Sequence, residues 1–230
     1  MKTIGLIGGM SWESTVPYYQ IINRTIAEHL GGLHSAKVLL HSVDFHEIEE
    51  LQRTDRWDEA GRILASVAAG LEGAGADLLV LCTNTMHKVA PAIEGRVRIP
   101  LLHIADATAG VIVEQGLETI GLLGTRFTME QAFYRERLEA RGLTVLVPEA
   151  ADRIAVHDVI FRELCLGRIE ETSRAAFRRI LGDLASKGAE GVILGCTEIS
   201  LLVRPEDAAI PLFDTTEIHA RQAALKALED

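Results

Sequence analysis

In the stretch "GVILGCTEIS", Cys196 is followed by Thr197 and Glu198, which places a thiol two residues from a carboxylate where an apolar run ends. A thiol there is a candidate general acid or base, because its ordinary pKa of about 8.5 is near neutrality and the N-terminus of a following helix would lower it further. A second stretch, "LCTNTMHKVA" from Leu81, sets Cys82 beside Thr83 at a similar place. Side chains alternate along a strand, so only one of these neighbours can face the chemistry.

Comparison of the two stretches decides between them. "GADLLVLCTNT" from Gly75 matches "GAEGVILGCTE" from Gly188, and this alignment superposes Thr83 on Cys196 and Cys82 on Gly195. Two further matches keep the same order at nearly the same separation: "TIGLIGGMS" from Thr3 with "TIGLLGTRF" from Thr119, and "IPLLH" from Ile99 with "IPLFD" from Ile210. Two similar halves related by a pseudo-dyad follow. Cys82 is then expected to be a packed core thiol, as buried free cysteines usually are.

The elements that must position these groups alternate along the chain. Short apolar runs at 3–7, 37–43, 77–82, 100–104, 118–123, 143–147, 190–195 and 210–213 are separated by segments of helical spacing such as "SRAAFRRILGDLASKG". The predicted fold class is α/β, with two pseudo-symmetric domains that each hold a mainly parallel sheet flanked by helices. Ligands of open parallel sheets bind beyond the carboxyl ends of the strands, which predicts an active site in the inter-domain cleft with Thr83 and Cys196 on opposite walls. Inverting a carbon acid needs that arrangement, since one group removes a proton from one face while another supplies a proton to the opposite face.

Composition narrows the classes. A chain of 230 residues that is 48% hydrophobic can fill a large core, and its net charge of -10 carries no basic stripe, so nucleic acid is not an expected partner. Three cysteines without a CxxC pair suggest neither a disulfide framework nor a zinc site, and the expectation is reduced thiols in the cytoplasm. The start "MKTIGLIGGMSWES" is too brief for a signal peptide, and no apolar segment reaches the roughly 20 residues that cross a bilayer. The "GGM" turn at Gly8, Gly9 and Met10 could receive a carboxylate on backbone amides, or serve only as a tight turn. Its spacing is neither G-x-G-x-x-G nor a P-loop, so no dinucleotide or nucleotide is read there.

"GLIGGMSWEST" (5–15), "CTNTMH" (82–87), "LLGTRFTM" (122–129) and "GCTEI" (195–199) span nearly the whole length, and with them the chain resembles the aspartate/glutamate racemase family. The resemblance is to its bacterial amino-acid racemases, and it implies a cofactor-independent isomerase acting on aspartate, glutamate or both. It also implies no metal, a small amino-acid substrate, a homodimer and two α/β domains. Residues 1–98 plus 209–230 would form the first domain and 99–208 the second. One departure from the family stands out: its first motif usually reads Cys-Asn-Thr, whereas this chain reads Thr83-Asn84-Thr85. An alkyl hydroxyl is many pKa units less acidic than a thiol, so Cys196 is left as the strong catalytic group, with Thr83 orienting a water or relaying a proton.

Position and resemblance together suggest the substrate-binding residues. Ser11, Asn84, Thr85, Thr125, Thr128 and Thr197 lie at equivalent strand ends, where short polar groups suit a carboxylate and an ammonium or else cap helices, and Met10 enters through the backbone amides of its turn. Glu198 could hold the ammonium, tune the thiol or partner a helix dipole. The family's loop suggests Gln52 and Arg53 for the side-chain carboxylate, with Arg126 and Lys88 behind them. His87 and His157 are packing or capping candidates, and Cys165, in an apparent helix, is a core candidate. The alternative functions are a decarboxylase or isomerase of the same superfamily, or an amino-acid-binding protein that has lost catalysis with the first thiol.

Overall fold

The most apolar runs become the central strands of two parallel sheets in the computed structural model, which describes residues 1–229. The chain runs through β1 (Thr3–Gly8), α1 (Trp12–Leu30), β2 (Lys37–Ser42), α2 (Phe45–Arg53), α3 (Trp57–Gly73), β3 (Leu78–Leu81), α4 (Ala90–Glu94) and β4 (Leu101–Leu102). It continues through α5 (Ile104–Glu114), β5 (Thr119–Gly124), α6 (Arg126–Glu130), α7 (Ala132–Glu139), β6 (Thr144–Leu146) and α8 (Ala150–Arg162). The last elements are α9 (Glu171–Ser186), β7 (Gly191–Gly195), α10 (Ile199–Leu202), β8 (Leu212–Asp214) and α11 (Thr215–Leu228). All eight expected strands are present.

The sheet orders are β2-β1-β3-β4 and β6-β5-β7-β8, parallel throughout. The internal repeat in the sequence is therefore a repeat of topology. Register carries it to single residues: Ile7 pairs with Leu81 in one sheet and Leu123 with Leu194 in the other, so Thr83 and Cys196 each lie two residues past an equivalent pair.

Two units divide the chain, one formed by residues 1–104 and the stretch from 216 onward, the other by residues 105–215. Both crossings come later than residues 98 and 208, because β4 pairs with β3 and β8 pairs with β7. Only α11, and not the strand before it, belongs with the first sheet.

Burial explains the apolar runs. β3 and β7 are buried along their whole length, as strands covered by helices must be, whereas the edge strand β2 is largely exposed. In the first unit α1 places Tyr18, Ile22 and Ile26 on one face against Ile4, Leu6, Leu78 and Val80. The alanines of α11 (Ala220, Ala223, Ala224 and Ala227) join that core, and Cys82 lies within it with no exposed surface. Cys82 is the packed thiol that alternation predicted, and burial pushes its pKa far up. In the second unit Phe177, Ile180, Leu181 and Leu184 of α9 pack with Val192, Leu194 and Cys196. The helix expected to contain Cys165 stops at Arg162, and Cys165 falls in a single 3₁₀ turn, half-buried against the same core.

A buried imidazole secures α11. His219 Nε2 lies 2.8 Å from the Leu102 carbonyl, which can only accept, so Nε2 carries the proton and Nδ1 accepts from the Tyr18 hydroxyl at 2.9 Å. Burial lowers its pKa from 6.5 to about 4, against a smaller opposing effect of the Leu102 bond. The unfolded chain therefore takes up a proton below 6.5 that the folded chain refuses until 4. Stability from the neutral ring is complete above the upper value and is lost as pH falls towards the lower, by up to about 3 kcal/mol. Urea midpoints measured between pH 7 and 4.5 are expected to fall, with a shallower fall in His219→Gln; parallel profiles would refute this role.

Candidate active site

Short glycine-containing turns carry the candidate residues of each unit. At the end of β1, Gly8 and Gly9 lie where a side chain would collide: a Cβ on Gly8 would stand 2.4 Å from Thr15 Cγ2, and one on Gly9, at φ +91, 2.3 Å from the Val43 carbonyl oxygen. Met10 and Ser11 follow, both buried. Ser11 is the N-cap of α1, accepting from the Ser14 amide at 3.4 Å. The Gly9 amide donates to Thr15 Oγ1 at 2.9 Å. That amide serves the turn, so the carboxylate-receiving reading of the "GGM" turn does not extend to it.

After β3 the chain makes a tight turn at Thr83, Asn84 and Thr85, all buried, before a 3₁₀ turn over Thr85–Val89. The Thr83 amide donates to the Leu81 carbonyl at 2.8 Å, and His87 Nδ1 lies 2.7 Å from the Thr83 carbonyl. Gln52, on α2, is buried and gives an Nε2–H to Met86 Sδ at 2.9 Å, which places it beside this turn. Of the cations suggested with it, Arg53 is a surface side chain 4.0 Å from Glu49, and Lys88, suggested behind the pair, lies 3.8 Å over the Trp57 ring.

In the second unit, glycine again sets the geometry. A Cβ on Gly124 would stand 2.8 Å from the Gly195 carbonyl oxygen, and one on Gly195 the same distance from the Leu123 carbonyl oxygen. The paired strands β5 and β7 can therefore end side by side, and Thr125 and Cys196 follow directly. Thr125 caps α6 through the Thr128 amide at 3.3 Å, and its hydroxyl lies 3.3 Å from that of Thr128. Thr128 is fully enclosed, which fits a capping and packing residue. Arg126 is half-exposed and 3.5 Å from Glu130, while its amide reaches His157 Nδ1 at 3.3 Å. Burial first, and then Arg126, lowers the His157 pKa.

Cys196, Thr197 and Glu198 form one hydrogen-bonded group. Cys196 Sγ donates to Glu198 Oε2 at 3.0 Å, and Thr197 Oγ1 donates to the same oxygen at 2.7 Å. All three are buried. The expected lowering of the thiol's pKa by a helix terminus is not found. α10 begins only at Ile199 and has four residues, whereas burial, then the Glu198 charge, raise Cys196 well above the ordinary thiol range. The resting group is a neutral thiol held by a carboxylate.

Sequence reasoning took His87 as a packing or capping candidate and drew nothing from two other buried histidines of the first unit, His103 and His219. His87, His103 and His219 lie within 4.3 Å and 5.8 Å of one another as ring centroids, with His87 between the others. The spacing of His87, four residues beyond Thr83, was the available signal, and its partners come from far along the chain.

Residues 7–223 match the sequence model of the Asp/Glu/Hydantoin racemase family. The chain is 24% identical over 226 residues to a broad specificity amino-acid racemase of Bacillus subtilis, covering 95% of each. Among solved structures it resembles a candidate Asp/Glu racemase from Yersinia pestis, at 58% identity, full coverage of both chains and a TM-score of 0.94. An aspartate racemase homologue from Pyrococcus horikoshii is 36% identical, again with full coverage of both, at a TM-score of 0.85.

Removing the Glu198 charge should release the thiol. The pH profile of Cys196 alkylation, followed by mass spectrometry of its peptide, is expected to have a midpoint above 9.0 in the parent protein and a lower one in Glu198→Gln. Coincident midpoints would remove Glu198 as the cause.

Proposed function

Because the chain belongs to the Asp/Glu/Hydantoin racemase family, we propose that it interconverts the enantiomers of aspartate, glutamate or both, without pyridoxal phosphate. The observation that carries the reading is the Cys196 thiol bonded to Glu198, at a strand-end position whose equivalent in the other sheet is Thr83. Cys196 is the main acid and base. As a neutral thiol it can give its proton to an α-carbanion directly.

The reverse step needs the thiolate. An ammonium group brought beside Cys196 and Glu198 offsets the negative charge that keeps the proton on sulfur, so substrate binding itself favours ionisation. The thiolate then takes the α-hydrogen, and the electron pair is held on the substrate's carboxylate as an enolate. Return of a proton to the other face of that carbon falls to a water that Thr83 orients, directly or relayed through its hydroxyl, and the hydroxide left behind is neutralised when Cys196 gives the abstracted proton to solvent. Met10, Ser11, Gln52, Asn84, Thr85, Thr125, Thr128 and Thr197 are assigned to holding the substrate, with the buried amide and hydroxyl groups as donors to its carboxylates. Thr128, being fully enclosed, acts through Thr125.

Two finer readings accompany this one. Cys82, Cys165 and Cys196 form no disulfide, which fits a reducing cytoplasm, and among the described residues no helix is long and apolar enough to cross a membrane. A homodimer would cover Trp12, Val16, Tyr19 and Leu40, exposed apolar side chains around a hollow of about 440 Å³ beside the edge strand β2. Sedimentation should give a dimer that Trp12→Glu with Tyr19→Glu dissociates; an unchanged mass would place any dimer contact elsewhere.

The unequal groups predict unequal kinetics. In D₂O, the enantiomer deprotonated by Cys196 should exchange its α-hydrogen much faster than the other, and Cys196→Ser should slow that exchange by about 10²–10⁴-fold. Thr83→Cys should raise exchange of the slower enantiomer, and hydroxylamine, which removes pyridoxal phosphate, should leave the rates unchanged. Tight binding by calorimetry with no exchange would instead identify an amino-acid-binding protein, and release of CO₂ or fumarate a different enzyme of the superfamily.

A further inference from the structure

The buried histidines of the first unit have no part in the proton transfers just described, yet one of them is bonded to the residue at the Thr83 position. His87 is 2% exposed. Its Nε2 accepts from the Ile104 amide at 3.2 Å, so the proton must be on Nδ1, and the Thr83 carbonyl 2.7 Å from Nδ1 can only accept. Two independent partners thus require the same tautomer.

The consequences for Thr83 are geometric. Its amide is tied to the Leu81 carbonyl and its own carbonyl to His87, so the peptide groups on both sides are held. With the backbone fixed, a β-branched threonine keeps few choices of χ1, and the direction of its hydroxyl is largely set. The other end of the ring is held as firmly. Ile104 is the first residue of α5, and its amide is one of the donors that a helix leaves without an intrahelical acceptor. His87 therefore caps α5 and braces the Thr83 turn with one side chain. The packing of His103 and His219 against it limits rotation of the ring. No imidazole takes this place beside Cys196: four residues further on stands Ser200, whose hydroxyl donates to the Thr197 carbonyl at 3.1 Å.

We propose that His87 is a positioning residue that fixes the Thr83 hydroxyl for proton transfer on one face of the substrate and leaves the Cys196 face alone. The inference rests on the racemase reading and on the part given there to Thr83.

Two substitutions separate the bonds of the ring. His87→Asn can keep a donor where Nδ1 stands but loses the acceptor for Ile104, whereas His87→Gln can reach the Ile104 amide but loses the donor to Thr83. Exchange of the α-hydrogen in D₂O is measured for both enantiomers of aspartate and glutamate with the full chain, separating kcat from KM. The same variants are also made in Thr83→Cys, where both faces carry a thiol and the slower reaction is easier to read. His87→Gln is expected to lower kcat for the enantiomer that Thr83→Cys accelerates by about tenfold relative to its mirror image, with KM little changed. His87→Asn should recover most of that loss. Equal losses for both enantiomers, or no loss for either, would overturn the inference and leave the racemase reading standing, since the parent protein would still exchange the α-hydrogen of the enantiomer that faces Cys196. No exchange of either enantiomer by the parent protein would overturn the racemase reading and this inference with it.

Discussion

Close pairing of the central strands is the constraint on which the candidate site depends. Gly124 and Gly195 lie so near the neighbouring backbone that an added Cβ would stand 2.8 Å from a carbonyl oxygen. Without side chains there, β5 and β7 remain paired to their last residues, and the next residue on each strand, Thr125 and Cys196, belongs to the same sheet end. The first sheet meets the requirement at Gly8, which approaches Thr15, while Cys82 occupies the place of Gly195 and turns its thiol into the core. One topology used twice thus produces equivalent positions with different chemistry.

That difference is electrostatic as well as chemical. A helix terminus contributes 0.3–1 kcal/mol to a nearby charge at an exposed site, and the four-residue α10 is a weak source. Burial can displace a pKa by several units, and a carboxylate in hydrogen-bond contact adds to it, so the thiol proton of Cys196 stays on sulfur. The effect has the opposite sign to the one expected of a strand-to-helix turn. A buried neutral thiol is protected from adventitious reaction, and the charge of a bound ammonium is the natural agent of its activation.

The first unit is organised around polar groups inside its core. His219 joins α11 to Tyr18 and to the β4 backbone, and His87 joins the Thr83 turn to the start of α5. Each ring is satisfied at both nitrogens by those bonds. Such fully bonded networks tolerate burial because desolvation is repaid by hydrogen bonds of fixed geometry, and they specify position more sharply than apolar contact does.

Periodicity, glycine placement and internal repetition determined the eight strands, the two-sheet topology and the equivalence of Thr83 with Cys196, because all of these follow from local pattern and from comparison of one half with the other. Alternation along the strand likewise fixed Cys82 as a core thiol. The sequence could not show that the Gly9 amide is taken by Thr15, that Lys88 lies over Trp57, or that β4 and β8 carry the crossings past residues 98 and 208. Nor could it give the sign of the Cys196 shift or gather His87, His103 and His219 into one cluster. Those depend on burial and on contacts between residues far apart in the chain, and only the folded chain sets which groups are removed from water together.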